Sequence, residues 1–358
     1  MPAADSVLNV GIIGAGRISD LHAIEYLANP GARIVAVCDS DLATARMRAA
    51  QWGVTSDRVF GRWQDLLAVG EIDLVEVLLP HDLHAPVSIA ALHAGKHVSV
   101  QKPMATTLED ADRMIRAAEL SGMTLRVFEN ALFFPPLCKA RELVEAGAIG
   151  QPLSIRIKAN KADPRLAWAV PEAARTWRQD AARSGGGSLT FGDGHHKFAV
   201  AWHFMGKPVA VHAWIGRTEV QPGFVLDCPA QISWQFEGQR FGNLEVVYSP
   251  ELQVHTHQYA QHDPVEITGT KGVIQVTCGH ARLADQPPVL LFRNGRIETF
   301  PELDSRWESS FVAATRHHIL ALQGRRPLML SAEQGREILK FCLAAQASAQ
   351  LGRSVAID

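Results

Sequence analysis

The sequence lacks long apolar runs and an excess of charge of either sign. No stretch approaches the roughly 18 uninterrupted apolar residues of a membrane-spanning helix. Lysine and arginine together number 35 against 37 acidic residues, which gives a formal net charge of -2. Such a chain has no strong field that would gather a polyanion. We therefore expect neither nucleic acid nor a membrane as its main partner.

Cysteine is scarce and widely spaced. The five cysteines form no C-x-x-C pair and are odd in number, which argues against a disulfide framework and a structural zinc site. We expect them to be small buried hydrophobic residues in a reducing compartment. Met1 to Asn9 contains no lysine or arginine, unlike the charged start of a signal peptide, so a cytoplasmic location is expected. The cysteines are Cys38, Cys138, Cys228, Cys278 and Cys342.

Hydrophobic residues make up 47% of the 358 residues, enough to form a full core. At roughly 150 residues per domain, this length predicts about two domains. In residues 1–130, short β-branched runs alternate with helical patterns, and the run at 74–79 (LVEVLL) is too apolar for burial on one face only. This alternation predicts a doubly wound α/β domain with a parallel sheet. The predicted strands are 7–13, 34–38, 74–79, 97–100 and 124–128, and the helices are 18–27, 42–51, 85–94 and one from the N-cap Thr107 to Leu120.

The rhythm changes in residues 131–358, where β-type runs follow one another and are separated by turn residues. Three helical stretches interrupt them, which predicts an α+β domain with a large, open, mostly antiparallel sheet and helices on one face. The other face of such a sheet must be solvated or paired, so we expect a homodimer or homotetramer formed through it. The predicted strands are 153–158, 209–215, 231–236, 244–248, 265–268 and 273–276, and the helices are 188–205, 309–322 and 332–351.

A glycine-rich turn follows the first predicted strand and opens the first helix. Gly14 permits a tight turn, and Gly16 lets the backbone approach a pyrophosphate. Arg17 and Ile18 come next, where the N–H groups at the start of the helix favour phosphate. Ser19 occupies the third glycine position and is small enough for close packing of helix and strand. In this strand–turn–helix context the motif predicts a dinucleotide site.

Asp39 ends the second predicted strand, where dinucleotide-binding folds carry an acidic residue. A carboxylate there accepts hydrogen bonds from the ribose hydroxyls of NAD and repels the 2′-phosphate of NADP. No arginine directly follows it, so the sequence favours NAD over NADP. The alternative is that Asp39 only caps a turn.

Gln101-Lys102-Pro103 follows the strand predicted at 97–100. Ligands of open α/β sheets bind outside the carboxyl ends of strands, which predicts that Lys102 lies where the nicotinamide would be. Pro103 stiffens the turn that carries it. The alternative for Lys102 is a solvated surface lysine.

These motifs resemble the Gfo/Idh/MocA family of oxidoreductases, which includes glucose–fructose oxidoreductase and inositol dehydrogenase. The similar segments span nearly the whole chain: GIIGAGRIS, LLPHDLHAPVSIAALHAGKHV, QKP, EAGAIGQP and SGGGSLTFGDGHHKFAVAWHFMG. The resemblance implies a Rossmann domain that binds NAD, with Pro80 and His84 beside the cofactor, and Gln101 is a further candidate cofactor contact. It also implies that Lys102 contacts the nicotinamide ribose and the reacting hydroxyl. The usual tripeptide is Glu-Lys-Pro, and here Gln101 replaces the glutamate, which removes one anion near Lys102.

The family also places an aspartate and a histidine four residues apart on one helix, and here the match is imperfect. Counting forward from the run at 185–187 puts Phe191 at the aspartate and His195 at the histidine. Counting backward from Gly206 puts Gly192 at the aspartate and His196 at the histidine, with Asp193 on the same helical face. We prefer His196 because this count keeps the family's G-x-H pattern. One residue is then inserted, which predicts a local bulge in the helix.

Other residues have weaker signals. His195, Trp177 and Lys161 are further candidate substrate contacts, and no metal is expected. His255, His257 and His262 are predicted to be solvated rather than to bind a metal, because no clear carboxylate accompanies them. Trp168 and Trp202 fit either a core or a surface that stacks on a sugar.

The sequence thus predicts an NAD-dependent oxidoreductase acting on a secondary alcohol of a sugar, glycoside or cyclitol. His196 would take the proton, Asp193 would orient it, and Lys102 would stabilise the oxygen. Two alternatives stay open. Related family members act on non-carbohydrate substrates such as dihydrodiols or tetrapyrroles, and a similar fold can bind NAD as a non-catalytic regulator.

Overall fold

The structure, a computed structural model, describes residues 7–169 and 171–357 and divides into two compact units. The first contains the chain up to Asn130 together with Ala182–Gly185 and Phe311–Leu339; the second contains Ala131–Ala181, Gly186–Ser310 and the chain from Lys340. The division predicted from the sequence, 1–130 and 131–358, is contiguous, whereas the first unit also contains two segments from beyond residue 130. The physical reason is visible in the first core, where Ile319 and Leu322 pack among residues of the N-terminal strands.

The first unit contains a six-stranded parallel sheet in the order β3-β2-β1-β4-β5-β6. This is the doubly wound order, so the predicted fold of this part is confirmed. The order reverses between β1 and β4, and ligands of such sheets bind outside the carboxyl ends of strands at this point. The strands are β1 (Leu8–Ile13), β2 (Ala32–Cys38), β3 (Val59–Phe60), β4 (Leu74–Val77), β5 (His97–Gln101) and β6 (Leu125–Phe128).

Side-chain caps and a glycine define the ends of helices in this unit. Thr107 accepts a hydrogen bond from the N–H of Asp110, which confirms it as an N-cap, and Gly122 ends the same helix with a φ of 68°. Asp41 caps the second helix in the same way. The helices are α1 (Ser19–Ala28), α2 (Leu42–Trp52), α3 (Trp63–Leu67), α4 (His84–His93) and α5 (Leu108–Ser121).

The second unit is built on a ten-stranded sheet in the order β17-β16-β15-β14-β7-β12-β11-β8-β18, with β13 paired to β7. Among the strand pairs of this sheet in the described residues, only β7 and β12 run parallel, so the predicted mostly antiparallel sheet is confirmed. A separate ribbon pairs β9 with β10. The strands are β7 (Pro152–Lys161), β8 (Pro208–Ile215), β9 (Thr218–Gln221), β10 (Phe224–Leu226), β11 (Ala230–Phe236), β12 (Arg240–Tyr248), β13 (Gln261–His262), β14 (Val265–Gly269), β15 (Gly272–Val276), β16 (Val289–Arg293), β17 (Arg296–Thr299) and β18 (Val355–Ala356).

The helix predicted at 188–205 is two helices of different pitch. A π-helical turn, Ser188–Asp193, runs directly into an α-helix that begins at Gly194. The extra residue predicted in this stretch is therefore absorbed as a local widening of the helix. The sequence analysis assigned no strand at β3, β9, β10, β13, β16, β17 and β18, and no helix at 63–67, 135–145, 172–179 and 181–184. The remaining helices are α6 (Pro135–Glu145), α7 (Glu172–Gln179), α8 (Ala181–Ser184), α9 (Gly194–Met205), α10 (Glu308–Leu322) and α11 (Ala332–Leu351).

The cysteines and the hydropathy of the helices bear on two expectations from composition. All five cysteines are free and four are buried, but Cys138 is exposed on α6, so the expectation of buried cysteines is wrong there. Over the described ranges, no helix combines the length and hydropathy that crossing a bilayer requires.

Candidate active site

The glycine-rich turn between β1 and α1 has the backbone geometry of a phosphate-binding loop. Gly14 has a φ of 98°, and a Cβ atom there would lie 2.3 Å from the carbonyl oxygen of Leu78, so only glycine fits. The position where Gly16 would carry a Cβ has no atom within 4 Å, which leaves the exposed turn accessible to a ligand. Ser19 is buried and donates from Oγ to the carbonyl of Gly16 at 2.6 Å, so serine replaces the third glycine without loss of packing. Arg17 is exposed and Ile18 half-buried at the entry to α1.

Asp39 lies beside this turn at the end of β2. Its Oδ2 accepts from the N–H of Ala15 at 2.8 Å, and its Oδ1 accepts from the N–H of Asp41 at 2.9 Å. The carboxylate therefore both stabilises the turn that follows β2 and contacts the glycine-rich turn. The two interpretations of Asp39 are compatible, and the residues present fit a dinucleotide whose ribose approaches this carboxylate.

The turn that carries Lys102 is held by the side chains around it. Gln101 accepts from the N–H of Lys102 through Oε1 at 2.8 Å, and its Nε2 lies 3.0 Å from Nε2 of His22. The ring nitrogens of His84 lie 2.8 Å from the carbonyl oxygen of Pro103 and 2.9 Å from that of Leu79. Burial holds the pKa of His84 below its ordinary value. His84 thus connects the ends of β4 and β5, and its ring is occupied by backbone rather than directed only toward a cofactor.

Pro80 lies between Leu79 and the short turn that leads into α4. Its carbonyl oxygen accepts from the N–H of Leu83 at 3.0 Å, and the residue is half-buried. The position follows β4, at the edge of the sheet where Gly14 and Asp39 also lie. Its expected contact with the cofactor stays a prediction.

A buried charge network behind this edge was missed by sequence reasoning. Glu76, inside the apolar strand β4, accepts from the Tyr26 hydroxyl at 2.6 Å and lies 3.3 Å from Nδ1 of His22 and 3.9 Å from a guanidinium nitrogen of Arg126. Burial raises the pKa of Glu76, but His22 and Arg126 outweigh it and hold the pKa below its ordinary value. The one charged residue in the run LVEVLL was the available signal, since a buried carboxylate requires partners.

In the second unit, Asp227 anchors the start of the π-helical turn that leads to the predicted catalytic helix. Its carboxylate accepts from the N–H groups of Leu189 at 2.8 Å and Thr190 at 2.6 Å. A Cβ atom on Gly187 would lie 2.0 Å from Oδ2 of Asp227, so the last glycine of the glycine run is required by this close approach. A negative charge at this end also interacts favourably with the helix dipole.

Asp193, which is half-buried, and Asp263, which is buried, share the same two donors. Nζ of Lys197 lies 2.7 Å from Asp193 Oδ2 and 3.1 Å from Asp263 Oδ1. Nε2 of Gln261 donates to the same two oxygens at 2.6 and 2.8 Å. This double bridge fixes the two carboxylates relative to each other.

The charged groups of this cluster shift one another's pKa values. Burial lowers the pKa of Lys197, but Asp193 and Asp263 outweigh it and the net pKa is raised, so Lys197 is an ammonium ion. Burial likewise raises the pKa of Asp263, while Lys197 and His280 more than reverse this and leave it well below its usual range. Lys161 also interacts with these carboxylates; burial lowers its pKa, and Asp193 and Asp263 offset part of this effect.

His196 lies in this cluster together with a second histidine, His280. Asp193, His196 and His280 each place one donor or acceptor atom within 4.8 Å of the others. Since the Lys197 ammonium already contacts the Asp193 carboxylate, a cation is supplied by the chain itself. His196, His280 and the indole of Trp307 line a cavity of about 30 Å³, whereas His195 is fully buried and lies outside its lining.

Several other residues that the sequence singled out lie outside this cavity. Trp177 is half-buried with the Arg178 guanidinium 4.3 Å from its ring centroid, and Trp168 packs edge-on against Tyr259. His255 and His257 are exposed, as expected. His262 was predicted to be solvated, and this is wrong: it is buried, with Nε2 3.0 Å from the carbonyl oxygen of Thr277.

Asp263, Gln261 and His280 were not identified from the sequence. They follow no motif, because Gln261 begins the two-residue strand β13, Asp263 directly follows it, and His280 lies after β15. The available signal was weak: each is a polar residue beside apolar strands, where burial requires a partner.

Fold and local geometry define a class of protein: an oxidoreductase with an NAD-binding Rossmann domain followed by an α/β domain. The oxidoreductase family model for the NAD-binding Rossmann fold matches residues 8–129, and the model for the family's C-terminal α/β domain matches residues 141–357. The chain belongs to the Gfo/Idh/MocA oxidoreductase family, as its sequence motifs predicted.

Individual relatives include several dehydrogenases. The D-glucoside 3-dehydrogenase of Escherichia coli K12 is 27% identical over 359 residues, which cover 98% of this chain and 97% of the relative. The levoglucosan dehydrogenase of Pseudarthrobacter phenanthrenivorans is 31% identical, over 60% of this chain and 57% of its own length. A solved levoglucosan dehydrogenase in complex with NADH and levoglucosan has a TM-score of 0.82 over 98% of this chain and 100% of that chain, at 22% identity, which shows the shared fold.

Proposed function

We propose that this protein transfers hydride between NAD and a secondary alcohol of a sugar, glycoside or cyclitol. The observation that carries the proposal is that one chain holds both a dinucleotide-type turn with Asp39 beside it and a buried cluster in which His196 lies next to Asp193. The relatives support this substrate class, since two are a glucoside and a levoglucosan dehydrogenase and others are inositol 2-dehydrogenases.

The proposed mechanism assigns one task to each side chain. Bound NAD⁺ supplies the hydride acceptor for the carbon that carries the hydroxyl. Neutral His196 accepts the hydroxyl proton, and Asp193 orients and stabilises the imidazolium that results. Lys102 stabilises the developing negative charge on the oxygen. Asp193 is itself held by Lys197 and Gln261, so its carboxylate keeps one position during the proton transfer.

The remaining predictions belong to this proposal. Gly14, Gly16, Arg17, Ile18, Asp39 and Pro80 bind the cofactor. Gln101 and His84 hold the turn that carries Lys102, and all three stay candidate cofactor contacts. Lys161, Trp177 and His195 stay candidate substrate contacts, and Lys161 has the strongest support because it interacts electrostatically with Asp193. We also propose that the protein works in the cytoplasm, in keeping with its free cysteines.

A panel of sugars, glycosides and cyclitols assayed with NAD⁺ by NADH absorbance tests the proposal. At least one member should be oxidised, and Lys102→Met should lower its kcat by about a hundredfold or more while NAD still binds, because the charge acts mainly in the transition state. Lys96→Met is the matched control: Lys96 donates to the carbonyls of Val69 and Gly70, so its loss should affect stability rather than turnover.

Two results would reject this assignment. Turnover of Lys102→Met within about a factor of three of the wild type would make Lys102 a cofactor contact only. Tight NAD binding without oxidation of any compound would favour the regulator, and oxidation of dihydrodiols alone would favour the non-carbohydrate alternative.

A further inference from the structure

We propose that His280, oriented by Asp263, is a proton-relay residue that receives from His196 the proton taken from the substrate hydroxyl. The inference rests on the proposed function for the origin of that proton. It adds a second histidine–aspartate pair to the site, supplied by the segments around β13 and β15 rather than by the helix that carries His196.

The Asp263–His280 pair has the geometry of an oriented imidazole. Nδ1 of His280 lies 2.5 Å from Oδ2 of Asp263, and both side chains are less than a tenth exposed, at 4% and 8%. Because an ionised carboxylate only accepts, Nδ1 of His280 donates to it. In the neutral ring the lone pair is then on Nε2, so this nitrogen is the proton acceptor.

His280 lies within reach of His196. Their ring centroids are 5.8 Å apart, and each ring places a nitrogen within 4.8 Å of the other. A direct hydrogen bond or one intervening water molecule spans such a distance. Both rings line the cavity of about 30 Å³, which exceeds the ~10–15 Å³ that one water requires.

An anion and an aromatic ring lie against His280. Asp263 is an anion in contact with it, and the Trp307 ring centroid lies 4.1 Å away, close enough for attraction between an imidazolium and an aromatic face. The Lys197 ammonium is also close, and it lies 2.7 Å from an oxygen of Asp193 and 3.1 Å from an oxygen of Asp263. The titratable side chains that line the cavity or contact the His280 ring are Asp263, His196, Lys197, Tyr259 and Cys278. Asp193 and Lys161 lie beyond them.

The proton transfer balances without a further reactant. The substrate O–H bond breaks and an N–H bond forms on His196; an N–H bond of His196 then breaks and one forms on Nε2 of His280. His196 is neutral again, and His280 carries the charge beside Asp263. The hydride goes to NAD⁺, as the proposed function already requires.

Kinetics of His280→Gln and Asp263→Asn test the relay, with His262→Gln as the matched control. His262 is a buried histidine next to Asp263 in sequence, but its ring lies against Asn160 and the carbonyl of Thr277. We expect both test variants to lower kcat by about tenfold to a hundredfold with little change in KM. A further variant, His280→Ala, should regain part of its activity when imidazole is added. The control should keep its kcat and show no rescue.

A titration of the histidine ring nitrogens by NMR tests the same pair without any substrate. In the wild type, His196 and His280 should titrate as a coupled pair, each curve showing two steps, and His196→Gln should reduce the His280 curve to one step. Independent single-step curves, or a His280→Gln variant with kcat within twofold of the wild type, would overturn the relay. Coupled curves in a protein that oxidises no sugar would support the pair and reject the proposed function instead.

Discussion

At the scale of single residues, Asp39 stabilises the fold, and we propose that the same side chain binds the cofactor. Its two oxygens accept backbone N–H groups from the glycine-rich turn and from the turn after β2. The carboxylate that stabilises these turns would also repel the 2′-phosphate of NADP. On the proposed function, cofactor preference and local structure depend on the same carboxylate.

Replacement of Asp39 by asparagine should relax the preference for NAD. The wild type should bind NAD at least about tenfold, or ~1.4 kcal/mol, tighter than NADP, and Asp39→Asn should reduce this ratio because the amide does not repel the 2′-phosphate. Quenching of tryptophan fluorescence by each cofactor measures both affinities. Asp41→Asn, which changes the neighbouring helix cap, should keep the wild-type ratio; equal affinities in the wild type would contradict the role of Asp39.

His195 and His196 are a second residue-scale question, since the sequence permits either as the base. Adjacent residues on an α-helix point about 100° apart, so both cannot face the same atom. Only His196 of the two lines the cavity with His280, while His195 is buried elsewhere in the unit. This placement supports the count that assigned the G-x-H pattern to His196.

Alanine variants of the two histidines should therefore differ in kind. His196→Ala should lower kcat by roughly two to four orders of magnitude and remove the acidic limb of the pH–rate profile, which arises from protonation of the base. His195→Ala should change KM or stability and keep the limb. Profiles measured across the acidic range decide between them, and loss of the limb in the His195 variant alone would mean that the forward count was right.

At the scale of secondary-structure elements, the widened turn Ser188–Asp193 is the feature that the sequence indicated only indirectly. The family pattern, counted from either end, disagreed by one residue, and the π-helical turn accommodates that residue. Most strands and helices were predicted to within a few residues because their periodicity is local. The strands β16 and β17 were missed, since β17 is exposed throughout and shows no apolar alternation.

The start of this turn should be sensitive to Asp227. Asp227→Asn keeps the shape of the side chain but loses its charge and one acceptor oxygen. The N–H groups of Leu189 and Thr190 then compete for the one oxygen of the amide. We expect the free energy of unfolding to fall by about 1–2 kcal/mol in urea titrations, together with a lower kcat because Asp193 ends the turn. Asp285→Asn, at an almost fully exposed loop position, serves as control. A change below about 0.5 kcal/mol would show that Asp227 does not anchor the helix.

At the scale of the whole molecule, the outer face of the ten-stranded sheet carries exposed aromatic residues. Trp214 on β8 is 62% exposed and Phe241 on β12 is 52% exposed. They pair with Gln231 and Gln235 of β11, which are four residues apart, so both side chains are on the same face. Large exposed apolar side chains on one sheet face are typical of an interface, and we propose that a homodimer or homotetramer forms there.

Light scattering coupled to size-exclusion chromatography tests this interface. The wild type should elute at a multiple of 39.1 kDa, and the double variant Trp214→Arg with Phe241→Glu should shift toward the monomer, because buried charges at the centre of an interface are costly. Leu120→Arg, at an exposed apolar position on α5, should leave the mass unchanged. A monomeric wild type would contradict the proposed interface.

The sequence alone determined the alternation of strands and helices, the glycine-rich turn, the position of Asp39 and the Gln101–Lys102 turn, because each depends on residues that are neighbours in the chain. Only the tertiary structure brought Asp263 and His280 to Asp193 and His196, and His22 and Arg126 to Glu76. Pairing of strands from distant parts of the chain makes these contacts, and burial makes them necessary, since a charge removed from water requires a partner that no local pattern identifies.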